Sequence, residues 1–376
     1  MSTTSPSPLD AIVRDARIVV CCGSGGVGKT STAAALALRG AELGRRTCVL
    51  TIDPARRLAQ ALGLDLLSNE PKPVTGKGLP SNGPGSLDAM MLDMRRTFDE
   101  VIERYARDEE QAERILGNRF YQRLSSTLAG TQEYMAMEKL YELHESGRYE
   151  LLVVDTPPTR SALDFLDAPA HLNELLDARW FRLLVLPAQR VGRGYVAGLS
   201  FATGAMAKMV RRLTGSELLT EVGEFFAAFE GMYEGFKSRA RRVYELLEDP
   251  GTAFVVVATP DEVALREAAY FAGRLATDDM PLGALVVNRV HQAAALPEVP
   301  AAAVERLRGE GADGRLLADL LEQHRALKKL ATAERERIAW LAGTVSGVAV
   351  VEVPQLAEDV HSIAGLRRLS GHLFAA

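Results

Sequence analysis

Short apolar runs recur along the chain, separated by longer segments in which apolar residues return at helical spacing. Apolar runs bounded by turn residues indicate buried strands, whereas three- and four-residue spacing indicates helices packed on one side. Strands that alternate with helices are typical of a parallel sheet covered by helices on both faces. We therefore predict an α/β fold with a doubly wound, mostly parallel sheet. The predicted strands are 17–22, 47–52, 87–92, 151–155, 254–259, 282–287 and 348–353.

The largest interruption of this pattern lies between residues 157 and 252. Apolar residues within it recur at three- and four-residue steps, which predicts a long helix with one apolar face. We predict an inserted α-helical subdomain at 171–250 between two parts of the core, 17–170 and 251–376, after an N-terminal tail at 1–16. The Pro- and Gly-rich segment 68–86 is predicted to be a mobile loop. The stripe comprises Leu219, Val222, Phe226, Phe229, Met232, Phe236 and Val243.

Composition and charge narrow the classes of protein. Hydrophobic residues make up 47% of the chain and charged residues 25%, as in an ordinary globular protein. The net charge of −5, without a basic block, disfavours nucleic acid as a partner. Residues 1–8 do not resemble a signal peptide, and no apolar run approaches transmembrane length, so we predict a cytoplasmic protein without an integral membrane segment. Cys21, Cys22 and Cys48 fall in predicted strands and are interpreted as buried apolar residues.

A glycine-rich stretch follows the first predicted strand and precedes an Ala- and Leu-rich helix. Gly23, Gly28, Lys29 and Thr30 fill the pattern G-x-x-x-x-G-K-[ST] of a phosphate-binding P-loop. Backbone N–H groups of such a loop surround the phosphates of a nucleotide, the lysine neutralises phosphate charge, and the threonine hydroxyl binds Mg²⁺. We therefore predict a P-loop NTPase that binds a nucleoside triphosphate and Mg²⁺. The predicted nucleotide-binding residues are Gly23, Ser24, Gly25, Gly26, Val27, Gly28, Lys29, Thr30 and Ser31.

Two aspartates follow predicted strands and complete a candidate site. Asp53 comes after the second strand, and Asp155 ends the fourth. In a doubly wound sheet, the carboxyl ends of strands beside the glycine loop line the nucleotide crevice. Thr30 and Asp155 are then predicted to hold the metal ion. Asp53 and Lys29 are predicted catalytic residues, and Asp53 is expected to orient or deprotonate the attacking water. An alternative role for Asp53 is a helix N-cap.

Four segments in order resemble one ATPase family: GSGGVGKT, TIDPA at Asp53, VVDTPPT at Asp155 and VVNR at Asn288. The chain is similar, over nearly its whole length, to the arsenical-pump (ArsA) and guided-entry ATPases, which are deviant Walker A P-loop NTPases, and it most resembles their actinobacterial branch. The resemblance implies that the chain hydrolyses ATP in a dimeric switch mechanism. It also implies that Asn288 contacts adenine and that Pro354 belongs to a loop closing over the base. The alternative for Asn288 is a turn residue at a strand end.

The departures from the family pattern concern the charge at the site. Members carry a second lysine just before the glycine pair, which reaches the partner's nucleotide across a dimer, and Ser24 stands at that position here. Because the actinobacterial branch includes unequal pairs of genes, the resemblance implies a heterodimer with a lysine-bearing paralogue, the alternative being a homodimer. Arg56, Arg57 or Arg160 could instead supply the missing charge. The zinc-binding C-x-x-C of the eukaryotic members is absent, and three accessible cysteines for arsenite are lacking.

Three functions follow from these features. The first is a switch ATPase whose helical insert binds an apolar protein client through the stripe defined above, although packing within the insert is the preferred explanation of that stripe. The second is a regulatory or scaffold subunit that binds ATP with little turnover. The third is a partition- or division-site ATPase that associates with a membrane through the amphipathic C-terminal segment 359–374, for which packing back onto the sheet is the competing interpretation.

Overall fold

A mostly parallel sheet of eight strands forms the centre of the computed structural model, which describes residues 7–53, 57–75, 84–122, 131–157, 221, 224–225, 228 and 232–375. All neighbouring strands run parallel except the antiparallel pair β3–β4, and the spatial order is β3-β4-β2-β5-β1-β6-β7-β8. The predicted doubly wound α/β fold is therefore confirmed. The strands are β1 (Ile18–Cys22), β2 (Arg46–Thr51), β3 (Lys72–Pro73), β4 (Ser86–Met91), β5 (Leu151–Asp155), β6 (Thr252–Ala258), β7 (Leu282–Val290) and β8 (Ala349–Pro354).

Strands β1, β5 and β6 are buried at every position, which indicates that helices cover both faces of this sheet. The described helices are α1 (Pro8–Asp15), α2 (Lys29–Glu42), α3 (Arg57–Leu62), α4 (Met94–Tyr105), α5 (Glu109–Leu116), α6 (Thr131–Glu145), α7 (Tyr233–Glu248), α8 (Glu262–Thr277), α9 (Ala301–Arg308), α10 (Gly311–Thr344) and α11 (Ile363–Leu373). The described part of the chain contains no helix that is both long and apolar enough to span a membrane.

The described residues divide into two compact units, one of which contains the whole sheet. The second unit is built from Leu92–Glu142 and the described part of 164–246. Its core includes Tyr121, whose ring contacts those of Phe98 and Phe225. The predicted core segment 17–170 thus includes residues that belong to the second unit. Most of the predicted insert at 171–250 lies outside the described residues, and its boundaries stay predictions.

Two local predictions differ from the structure. The predicted tail at 1–16 contains α1, because Leu9 and Val13 lie on one helical face and are fully buried. The predicted loop at 68–86 contains β3, since Lys72 and Pro73 pair with β4 at the sheet edge, while residues 76–83 lie outside the described ones. Both α1 and β3 are short and depend on packing or pairing with residues distant in sequence, which local sequence patterns do not reveal.

The amphipathic C-terminal segment packs back onto the sheet unit. Helix α11 buries Leu366, Leu369 and Leu373 and contacts α2, α3 and β8. Its apolar side is therefore engaged within the chain, and this packing removes the observation on which membrane association through 359–374 depended.

Candidate active site

The P-loop connects β1 to α2 and requires glycine where the backbone is left-handed or crowded. Gly23, Gly26 and Gly28 have φ angles of +146°, +80° and +103°. A Cβ at Gly23 would lie closer than 3.0 Å to the carbonyl oxygen of Val257, and one at Gly28 equally close to Nδ2 of Asn288. At Gly23 the loop backbone therefore packs directly against the backbone of β6, and at Gly28 against the Asn288 side chain of β7, so that neither position has room for a Cβ. Helix α2 starts directly after it, so unpaired N–H groups face the loop.

Lys29 is the first residue of α2, and its side chain is buried. Its ammonium donates a hydrogen bond to the backbone carbonyl oxygen of Ser24, 2.7 Å away. Burial lowers the pKa of Lys29, an effect opposed chiefly by the nearby carboxylate of Asp155. The ammonium is thus held against the loop, where an anion bound by the N–H groups would meet it.

Asp155 ends β5 and is completely buried. Its Oδ2 accepts hydrogen bonds from the hydroxyls of Thr30 and Thr51, both at 2.8 Å, while its Oδ1 has no hydrogen-bond partner in the described residues. Burial raises the pKa of Asp155 to about 6, although the two hydroxyls and Lys29 favour the carboxylate. A buried carboxylate oxygen without a partner is costly, which indicates a site that a cation or its water would complete.

These residues fit Mg²⁺, which prefers oxygen ligands and keeps several waters. The hydroxyl of Thr30 and the unpartnered Oδ1 of Asp155 supply a neutral and an anionic oxygen at the mouth of the P-loop. The described residues contain no group of three or more His, Cys, Asp or Glu side chains arranged around a metal. The donor set therefore suits a cation whose remaining ligands are phosphate oxygens and water.

One cavity of about 440 Å³, here called the P-loop cavity, brings predicted site residues from distant parts of the chain together. Asp53, which follows β2 and donates its backbone N–H to the hydroxyl of Thr51 at 3.2 Å, is partly exposed at its wall. The cap interpretation of Asp53 involves residues 54–56, which lie outside the described ones. The predicted residues that line the cavity are Gly26, Gly28, Lys29, Thr30, Ser31 and Asp53.

Asn288 reaches the P-loop from β7. Its Nδ2 donates a hydrogen bond to the carbonyl oxygen of Val27 at 2.9 Å, and its Oδ1 accepts one from the backbone N–H of Arg289 at 3.0 Å. Pro354 ends β8 opposite Val290 and is not among the described residues that line the cavity. Contacts of both residues with adenine therefore stay predictions.

Sequence reasoning missed several residues at the site. Thr51 lies in register with Asp155 across the β2–β5 pair, a relation that only strand order reveals. Thr156 follows Asp155 directly and could have been found from it. Of the candidate arginines, Arg57 lines the cavity, whereas Arg56 and Arg160 lie outside the described residues. The other residues missed are Gln60, Arg289, Asp359, Val360 and His361.

The raised pKa of Asp155 predicts a pH-dependent stability. Because the native pKa of Asp155, about 6, exceeds the ordinary value of 3.8, the native state binds more protons than the unfolded chain between these values. The free energy of unfolding therefore falls as the pH rises through this range, and the fall ends about one pH unit above the native pKa, where the carboxyl is ionised in both states. Asp155→Asn should therefore increase the free energy of unfolding at pH 8 by up to about 3 kcal/mol, and the gain should shrink as the pH falls towards 4.

Urea unfolding at pH 5 and pH 8, without nucleotide, tests this expectation. The control is Asp313→Asn on α10, where the carboxylate is exposed and keeps its hydration. A gain for Asp155→Asn that is the same at both pH values would contradict the assigned cause, which is burial of the charge.

Comparison with known proteins identifies the family. The family model ArsA_ATPase, described as an anion-transporting ATPase, matches residues 16–305. The chain belongs to this family. As an ArsA-family member it is an ATPase, and the family resemblance that the four motifs carry is confirmed, whereas the resemblance to the actinobacterial branch stays a prediction.

Relatives of this ArsA-family chain cover both branches implied by the motifs. The putative arsenical pump-driving ATPase 1 of Aquifex aeolicus is 25% identical over 362 residues, 94% of this chain and 78% of the relative. The ATPase GET3 of Malassezia globosa is 32% identical over 158 residues, 42% of this chain and 44% of that protein. The ATPase GET3 of Podospora anserina is 27% identical over 292 residues and 77% of each chain.

Proposed function

We propose that the chain binds ATP with Mg²⁺ at the P-loop cavity, hydrolyses it, and works as a cytoplasmic switch in a dimer. The observation that supports the proposal is that Lys29, Thr30 and Asp53 line one cavity, while the buried Asp155 accepts a hydrogen bond from Thr30. Positioning and charge neutralisation provide nearly all the catalysis that phosphoryl transfer requires. In this proposal, Lys29 provides charge neutralisation and Asp53 positions the attacking water.

Each residue has a distinct task in this proposal. The loop N–H groups and Lys29 bind the phosphates, and phosphate oxygens would replace the carbonyl of Ser24 as partners of the ammonium. Thr30 and Asp155 would hold Mg²⁺, which neutralises phosphate charge when bound. Asp53 would orient the attacking water and accept its proton. Asn288 and Pro354 are proposed at the adenine, as the resemblance implies.

The asymmetric pair belongs to the same proposal. Ser24 carries no charge to offer a partner's nucleotide, so this chain would receive a lysine from a paralogue without returning one. The alternative within this family is a scaffold subunit that binds ATP with little turnover. Retention of Lys29, Thr30 and Asp53 at one cavity, with Asp155 hydrogen-bonded to Thr30, favours hydrolysis.

The cysteines do not favour arsenite as the transported anion. Cys21, Cys22 and Cys48 are buried in β1 and β2, and burial raises the pKa of each thiol, that of Cys22 to about 12. Thiolate ligands for arsenite are therefore unavailable on this chain.

An apolar protein client is the remaining proposal. Of the apolar stripe on the predicted insert, only Met232 and Val243 have described side chains, and both are buried.

A lysine at position 24 should restore the missing charge. The isolated wild-type chain should bind ATP in a Mg²⁺-dependent manner but hydrolyse it slowly, whereas Ser24→Lys should raise turnover by about tenfold or more in the resulting homodimer. Addition of a lysine-bearing paralogue to the wild-type chain should have the same effect. Titration calorimetry and phosphate release measure the two quantities.

The matched control is Ser24→Ala, which removes the hydroxyl without adding charge. Equal turnover of the wild-type chain with and without the paralogue would contradict the asymmetric pair. Absence of ATP binding by the wild-type chain would contradict the proposed function as a whole.

A further inference from the structure

A β-bulge at the end of β7 places one arginine in a strained backbone conformation. The register of β7 against β8 shifts between Val287 and Val290, so Asn288 and Arg289 occupy the bulge. Arg289 has a φ angle of +64°, and among the described non-glycine residues only Asp279 also has a positive φ. Arginine has no short side chain to stabilise this conformation locally, as aspartate and asparagine have. Such strain is typical of functional sites.

The bulge is tied to the P-loop. Nδ2 of Asn288 donates to the carbonyl oxygen of Val27, and Oδ1 of the same amide accepts from the backbone N–H of Arg289. One side chain therefore connects the phosphate-binding loop to the strained residue. Arg289 also lines the P-loop cavity, together with Lys29 and Thr30.

The charges that line this cavity indicate a role for the guanidinium of Arg289. A triphosphate brings several negative charges to a wall that already holds the carboxylates of Asp53 and Asp359. Lys29 is the only cation of the P-loop itself, because Ser24 stands at the position of the second lysine. Within the described part of the chain, the guanidinium of Arg289 has no ion-pair partner, so it can bind an incoming anion without breaking a bond.

We propose that Arg289 is a nucleotide-binding residue whose guanidinium contacts the phosphates of ATP in the same subunit, and that the left-handed bulge serves to aim it there. This inference rests on the proposed binding of ATP. Arg57 also lines the cavity, but it lies in the first turn of α3, an ordinary helical position that stores no strain. The geometry therefore favours Arg289 over Arg57 as the cation in cis.

Substitution by glycine separates the binding role from a structural one. Arg289→Gly removes the guanidinium and relieves the left-handed conformation, so the chain without nucleotide should unfold at an equal or higher urea concentration. At the same time, the Kd for ATP should rise about tenfold, as should the inhibition constant of inorganic tripolyphosphate as a competitor. Arg289→Lys, which keeps the charge, should lie between wild type and Arg289→Gly in affinity.

Asp279→Gly is the matched control, because it relieves the same kind of strain at a residue that does not line the cavity. It should leave the Kd for ATP unchanged. ATP affinity of Arg289→Gly within twofold of wild type would overturn the inference, as would loss of stability. Weaker binding of ATP but not of tripolyphosphate would overturn the contact with phosphate. A wild-type chain that does not bind ATP would instead refute the proposed function, and this inference with it.

Discussion

Replacement of Asp53 by asparagine is expected to reduce ATP turnover by about 100- to 1,000-fold while the Kd for ATP stays within about threefold of wild type. Asparagine has nearly the same shape as aspartate but cannot accept the proton of the attacking water. Asp53 is partly exposed at the wall of the P-loop cavity, where it can reach such a water. Single-turnover phosphate release with enzyme in excess measures the chemical step even if the isolated chain is slow.

The control for this experiment is Asp359→Asn, which makes the same change of charge in the same cavity. Asp359 is exposed and follows β8, at the opposite end of the sheet order from β2 and β4. Its neutralisation should leave the single-turnover rate near that of wild type. Undiminished function of Asp53→Asn in an assembled pair would favour the scaffold subunit over the hydrolysing one.

Replacement of Gly23 by alanine is expected to reduce the free energy of unfolding by on the order of 3 kcal/mol, and to impair ATP binding with it. The added methyl group would meet the carbonyl oxygen of Val257 at less than 3.0 Å, and this oxygen belongs to the backbone of β6. Since β6 is held between β1, which pairs with it up to Val256, and β7, which pairs with Val257, the strand cannot withdraw without disturbing the centre of the sheet. Urea unfolding followed by circular dichroism gives the stability.

Gly26→Ala separates the steric clash from backbone strain. Gly26 also has a positive φ, but a Cβ there would meet no atom within 4 Å. This variant should lose only about 1 kcal/mol, the ordinary cost of alanine in a left-handed conformation. If both variants lost the same small amount, the close approach of the P-loop to β6 would not contribute to stability.

The strands and the P-loop could be predicted from the sequence because their signals are local. All seven predicted strands overlap the observed ones, and each boundary differs by three residues or fewer. Buried parallel strands form continuous apolar runs, and the glycines at 23, 26 and 28 occupy positive φ angles that other residues avoid. The Lys-Thr pair at 29 and 30 starts the next helix, so its position follows from the neighbouring residues alone.

Contacts between strands distant in sequence could not be predicted in this way. Thr51 meets Asp155 because β2 and β5 are neighbours in register, although a hundred residues separate them. The same holds for α1, which is stabilised by burial of Leu9 and Val13, and for the pairing of β3 with β4.

The sequence alone therefore determined the fold class, the phosphate-binding loop and the two aspartates at strand ends. The sequence also showed that Ser24 stands where family members carry a lysine, so the site has one positive charge fewer than the family pattern. Only the tertiary structure decided what surrounds that site: a carboxylate of Asp155 with one oxygen that has no hydrogen-bond partner in the described residues, and Arg289 on a left-handed bulge at the P-loop cavity. The physical reason is that burial, register and bulges arise from pairing between distant segments, whereas local patterns specify only the segments themselves.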